Sequence, residues 1–201
     1  MSMIPEKPPF KFLDILYKKE FILFVVLVSI LIINSNISPY FLDLYNLIDS
    51  TFLFSEKAII ALTMTFVIIA RQIDLSVASI IAVSSCVLGY TTSLGYDTWL
   101  VISLTLLSGA ICGAFNGAII TKFAIPSIIV TIGTMSLFRG LAYSFLEDSY
   151  YNKFPKLVSN LGGGYLFGYI PYAFLTFIIL AIIFAFILHK TSVGKKIYSI
   201  G

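Results

Sequence analysis

No Asp, Glu, Lys or Arg occurs in residues 21–42, 58–70, 75–96, 98–121, 123–138 or 157–189. A chain folding in water must cover its exterior with charge, and this one has gathered its charge between long apolar runs. A helix crossing a bilayer needs about 20 mostly apolar residues at about 1.5 Å each. The composition agrees. The chain is 59% hydrophobic and 11% charged, where soluble domains average about 45–50% and about 25%. It reads as an integral membrane protein.

The stretches divide into six spans. The second is long enough once extended back to Thr51, which takes in Glu56 and Lys57. The fifth runs from Pro126 to Leu146 and includes Arg139. The last divides at Pro171, leaving a Gly- and aromatic-rich stretch, 161–170, before a helix. Continuous apolar runs such as Phe21 to Ile33 and Phe174 to Leu188 exclude the short alternating strands of an outer-membrane barrel. The expected fold is all-α: a polytopic transmembrane helix bundle of about six spans. It follows a tail at 1–20, occupies 21–190, and leaves a cytoplasmic segment at 191–201.

Lys/Arg bias orients the bundle. With the N-terminal tail cytoplasmic, Lys7, Lys11, Lys18, Lys19, Arg71, Lys122, Lys190, Lys195 and Lys196 share one side. The other side carries Asp43, Asp49, Asp97, Glu147 and Asp148, with Lys153 and Lys156 as its loop bases. The inverted arrangement would translocate nine positive charges. Residues 1–35 have the outline of a signal peptide, but Asn34-Ser35-Asn36 makes a poor cleavage site, and the first helix is read as uncleaved.

Other classes find no support. A net charge of +3 without a basic stripe argues against nucleic acid. Cys86 and Cys112 lie in apolar runs and read as small packing residues. His189 has no partner at metal-ligand spacing. Gly162-Gly163-Gly164 lacks the Gly-Lys-Ser/Thr ending of a phosphate loop, so no cofactor is expected in this chain.

Four features draw attention. Gly109, Gly113 and Gly117 fall on one helix face, where glycine allows backbones to approach closely, with Asn116 beside them. The reading is tight packing within the bundle or between two subunits, against direct solute contact. Asp74, in Arg71-Gln72-Ile73-Asp74-Leu75-Ser76, is placed to cap the helix that follows, and Arg71 is placed to neutralise it. That segment is either an interfacial turn or a polar element within the bundle. Pro126 suits the first turn of its helix, and Ser127, Thr131 and Thr134 make a polar stripe on one face. Arg139, roughly 20 Å beyond Pro126, either snorkels to headgroups or faces a water-filled path and bonds a solute or Asp74.

Ile73-Asp74-Leu75-Ser76-Val77, Gly109 to Gly117, Ile125-Pro126-Ser127-Ile128-Ile129-Val130-Thr131-Ile132-Gly133-Thr134, Phe138-Arg139-Gly140 and Thr191 to Gly201 together resemble the permease subunits of bacterial ABC-type monosaccharide importers. That group handles ribose, galactose, xylose, rhamnose and autoinducer-2. The motifs come in family order over about residues 55–201. The resemblance implies a transporter subunit rather than an enzyme, lying in the bacterial cytoplasmic (inner) membrane and working by alternating access. Its implied partners are a second permease subunit, two cytoplasmic ATPase subunits, and a periplasmic or lipid-anchored sugar-binding protein. From the residues themselves, the candidate translocation path takes in Asp74, Thr131, Thr134 and Arg139. The resemblance also implies about ten spans and a Gly/Ala-rich ATPase-docking loop beyond Gly201, so this chain reads as truncated relative to that family. Alternatives are a non-transporting fragment or structural membrane partner, a secondary transporter or channel, and an intramembrane enzyme.

Overall fold

The structure, a computed structural model, describes residues 19–146 and 150–201. The tail lysines Lys7, Lys11 and Lys18, and the acidic pair Glu147 and Asp148, lie outside the described residues. The chain falls into two units, Met1–Ser50 and Thr51–Gly201.

In the first unit, α1 (Lys19–Ile37) is rich in Val and Ile, which in water would favour strand. In lipid every backbone N–H and C=O must be satisfied within its own segment, which makes such a run helical. Its polar side chains obey the same constraint. Ser29 Oγ donates to Val25 O at 2.8 Å, and Asn34 Nδ2 donates to Ile30 O at 2.8 Å.

The second unit holds the rest of α2 (Leu44–Ile69), then α3 (Val77–Ser93), α4 (Thr98–Phe123) and α5 (Ser127–Leu146). There follow a short α6 (Lys156–Gly163), a two-residue-per-strand hairpin of β1 (Tyr165–Leu166) and β2 (Ile170–Pro171), α7 (Tyr172–Lys190) and α8 (Ser192–Ile200). Asp97 caps α4 by accepting from Trp99 N–H at 2.9 Å. Pro126 stands one residue before α5 rather than inside it, and its carbonyl accepts from Ile129 and Val130.

Among the described residues five helices are long and apolar enough to cross a membrane: α1, α2, α4, α5 and α7. The sixth expected span is α3, with only 17 residues. It is shorter than the charge-free run 75–96 at both ends, because Leu75 and Ser76 are not helical and the helix stops at Ser93. The glycine- and aromatic-rich stretch expected as a plain loop is α6 and the hairpin. The hairpin turns through Phe167 (φ 53°) and Gly168 (φ 77°), the left-handed pair that matches strand twist.

The core of the unit is α3 packed against α4 and α5. One face of α5 buries Ser127, Val130, Thr131, Thr134, Phe138 and Ala142, the i, i+3, i+4, i+7 spacing of a helix turned to its neighbours. Phe115 and Phe138 close the α4–α5 contact edge to face, with ring centroids 6.2 Å apart. A second association joins α2 to α7 through the edge-to-face pairs Phe54–Phe174 and Phe66–Phe184. Residue numbers rise together in those pairs, so α2 and α7 run parallel.

Candidate functional site

The end of α2 sets up the site. Arg71 N–H donates to Ile68 O at 2.9 Å and Gln72 N–H to Val67 O at 3.0 Å, with Arg71 in the left-handed region at φ 55°. This is the Schellman closure, at the position where glycine is usual. It ends the helix and turns the chain into a non-helical strap, 72–76.

Side chains from two other helices hold that strap. Ile73 N–H donates to Ser127 Oγ at 3.0 Å. The Thr131 hydroxyl lies 2.8 Å from Ser127 O and 3.3 Å from Ile73 O. From α4, Asn116 Nδ2 donates to Ser76 Oγ at 2.8 Å, and that hydroxyl donates to Asp74 Oδ1 at 2.7 Å. The same carboxylate oxygen accepts from Ser76 N–H at 2.8 Å. Asp74 therefore braces the strap, while Ser76, not Asp74, occupies the N-cap position of α3. Ser76, Asn116, Ser127 and Thr131 are all buried.

Asn116 lies seven residues before the end of α4, about 10 Å along the helix axis. Thr131 lies four residues into α5, about 6 Å from its start. The strap thus meets its neighbours inside the helix layer. Non-helical backbone at such depth persists only where protein buries it or where it lines a cavity. The helix α3 begins only after this non-helical strap. Asn116 Oδ1 and Ser79 Oγ, both buried, have no hydrogen-bond partner among the described residues.

The expected site residues separate into two sets. Asp74, Asn116 and Thr131 come together around the strap. Thr134 stands one turn on, buried, with its hydroxyl 3.4 Å from Thr131 O. Arg139 does not join them. It is exposed, lies eight residues past Thr131 (about 12 Å), and has no hydrogen-bond or ion-pair partner among the described residues. Arg71 likewise makes no ion pair with Asp74. The glycine ridge also divides. A Cβ on Gly109 would meet Ser84 Oγ at 3.2 Å, so this glycine fits α4 against α3. Gly113 and Gly117 are exposed, with nothing within 4 Å of an added Cβ.

Sequence reasoning treated Glu56 only as an interruption of the second span. The structure puts it on the wall of two cavities. One, of about 440 Å³, is a cleft between α2 and the start of α3, lined by Ile60, Met64, Asp74, Leu75 and Ile81 among others. The other, of about 700 Å³, lies between α2, α6 and α7, with Phe52, Lys57, Val158, Leu161 and Thr176 on its wall. A charged residue counted as a cost to span length was the available signal, because charges within spans tend to face cavities. Among the described residues no group of three or more His, Cys, Asp or Glu is placed to hold a metal ion.

The fold is that of a multi-pass helical membrane protein. Residues 46–201 match the family model described as branched-chain amino acid transport system / permease component, and the chain belongs to that family. It is 36% identical over 183 residues to the ribose import permease protein of Bacillus subtilis (strain 168), covering 89% of this chain and 56% of that protein. It is 33% identical over 185 residues to the ribose import permease protein of Haemophilus influenzae, with the same two coverages. The autoinducer 2 import system permease protein LsrC of Escherichia coli O9:H4 (strain HS) is 33% identical over 143 residues, 71% of this chain and 42% of that protein. The chain spans about half the length of these relatives. No solved structure matches.

Proposed function

We propose that this chain forms part of the membrane permease of an ATP-driven importer for a monosaccharide or a related polyol-like solute. The observation that carries this reading is the strap 72–76, backbone outside any helix, held inside the helix layer by Asn116, Ser127 and Thr131. Transporters build solute sites from interrupted helices of this kind. The family and the ribose and autoinducer 2 import relatives support the solute class. On this reading Asp74, Thr131 and Thr134 flank the path, and the N-terminus and the Lys190–Lys196 end are cytoplasmic, in the inner membrane. ATP is bound and hydrolysed on separate subunits. A second permease subunit and a periplasmic or lipid-anchored binding protein complete the assembly.

The test is co-purification of the whole permease with an ATPase subunit, followed by ATP-dependent uptake of labelled ribose and of autoinducer 2 into vesicles. Stable association with ATP-dependent uptake is the expected result. A permease that never associates with an ATPase, or uptake that persists without ATP, overturns it.

A further inference from the structure

Glu56 has 12 residues of α2 before it and 13 after it, so it stands at the middle of a helix about 39 Å long. Glu56 is exposed and, in the span counted from Thr51, lies about 7.5 Å in. A carboxylate within a span is costly in lipid and is found facing a bundle interior or a wet cavity. Both cavities flanking α2 include it, and it is the one lining residue they have in common. They also follow one another along the helix. The larger takes Phe52 to Ile59 of α2, together with α6 and the start of α7. The smaller takes Ile60 and Met64, together with Asp74 and the first turns of α3. A solute moving along α2 from one to the other passes Glu56.

The chemistry of that passage is narrow. Lys57 Nζ is turned back to Leu53 O, 3.3 Å away on its own helix, and Glu56 has no hydrogen-bond or ion-pair partner among the described residues. An ionised carboxylate is an acceptor with two oxygens. It bonds neighbouring hydroxyls and repels an anion. In the smaller cavity Ile60, Met64, Leu75 and Ile81 offer no donor. In the larger the two donors, Lys57 and Thr176, are each bonded to a carbonyl of their own helix.

We infer that Glu56 is a specificity-determining residue of the transport path, accepting hydrogen bonds from the hydroxyls of a neutral polyhydroxylated solute as it moves between the two cavities. This rests on the transport function proposed above, and two measurements keep the two apart. The first is ribose uptake by the whole permease with its partner subunits in vesicles, with the amount of permease in the membrane matched by immunoblot. Loss of a charged hydrogen-bond acceptor in Glu56→Ala should raise KM about tenfold or more, with the maximal rate changed far less. Glu56→Gln, which keeps one acceptor oxygen, should fall between. An unchanged KM in both variants overturns the assignment.

The second measurement needs no solute. With Cys86→Ser and Cys112→Ser as background, Glu56→Cys is compared with Ile111→Cys, at the middle of α4 and 59% exposed on an apolar face. A charged, water-soluble thiol reagent should label position 56 about tenfold faster or more, because position 56 faces a wet path. Equal or slower labelling overturns the inference whether or not ribose is carried. Fast labelling without ribose uptake upholds the wet path and counts only against ribose as the solute.

Discussion

Asn116 and Ser76 are 40 residues apart in sequence, and the Asn116 amide donates to the Ser76 hydroxyl at 2.8 Å. That bond ties the last third of α4 to the start of α3. Because Ser76 also donates to Asp74, it is the central member of a three-residue chain.

Removing the central member should therefore cost most. Ser76→Ala leaves the buried Asn116 amide without its partner, at about 1–3 kcal/mol, and takes one of two hydrogen bonds from the half-buried Asp74 carboxylate. Asn116→Leu removes one outer member and should cost less. The double variant should be no worse than Ser76→Ala alone, since the two changes break the same network. Thermal unfolding of the detergent-purified permease orders the three variants; additive losses would show that the bonds act independently.

Arg71 occupies a backbone position that favours glycine. Arg71→Gly should raise stability by about 1 kcal/mol by relieving the left-handed conformation. A lower unfolding temperature would mean that the guanidinium makes a stabilising contact in the assembled protein.

The glycine ridge makes two different forecasts. Gly109→Leu should destabilise the chain, because Ser84 and Ile80 already fill that space. Gly113→Leu should leave insertion and unfolding temperature unchanged but weaken association of two copies, measured by crosslinking. Unweakened association would show that Gly113 and Gly117 face lipid.

Arg139 shares neither the face nor the depth of Thr131. Arg139→Ala is expected to leave solute uptake within about twofold, consistent with snorkelling. Abolished uptake would place the guanidinium on the path in the assembled permease.

The helices were legible because hydropathy and proline fix them locally. Pro171 marked the start of α7, and Pro126 marked that of α5 to within one residue. The polar stripe of Ser127, Thr131 and Thr134 was legible too, as an i, i+4, i+7 pattern. Its partner was not, because a hydroxyl's choice of the Ile73 backbone is a tertiary event that local spacing does not encode. The strap was legible as an interruption between two apolar runs, read as either an interfacial turn or a polar element within the bundle. Its bonds to α4 and α5 were not, because they join residues 40 or more apart in sequence. Asp74 was placed correctly as an acceptor of a backbone N–H, one of its two roles, but its hydrogen bond from Ser76 Oγ shifted the cap by two residues.

The strap has a mechanical consequence. It joins α2, which is paired with α7, to the α3–α5 cluster at one end of the cleft, as a hinge joins two boards. Glu56 lies 13 residues up α2 from Ile69, about 20 Å from the pin. A swing of about 10° at the strap would carry that carboxylate about 3.5 Å across the cleft, roughly one hydroxyl's reach. Any such swing would be set by the five residues 72–76, which belong to no helix.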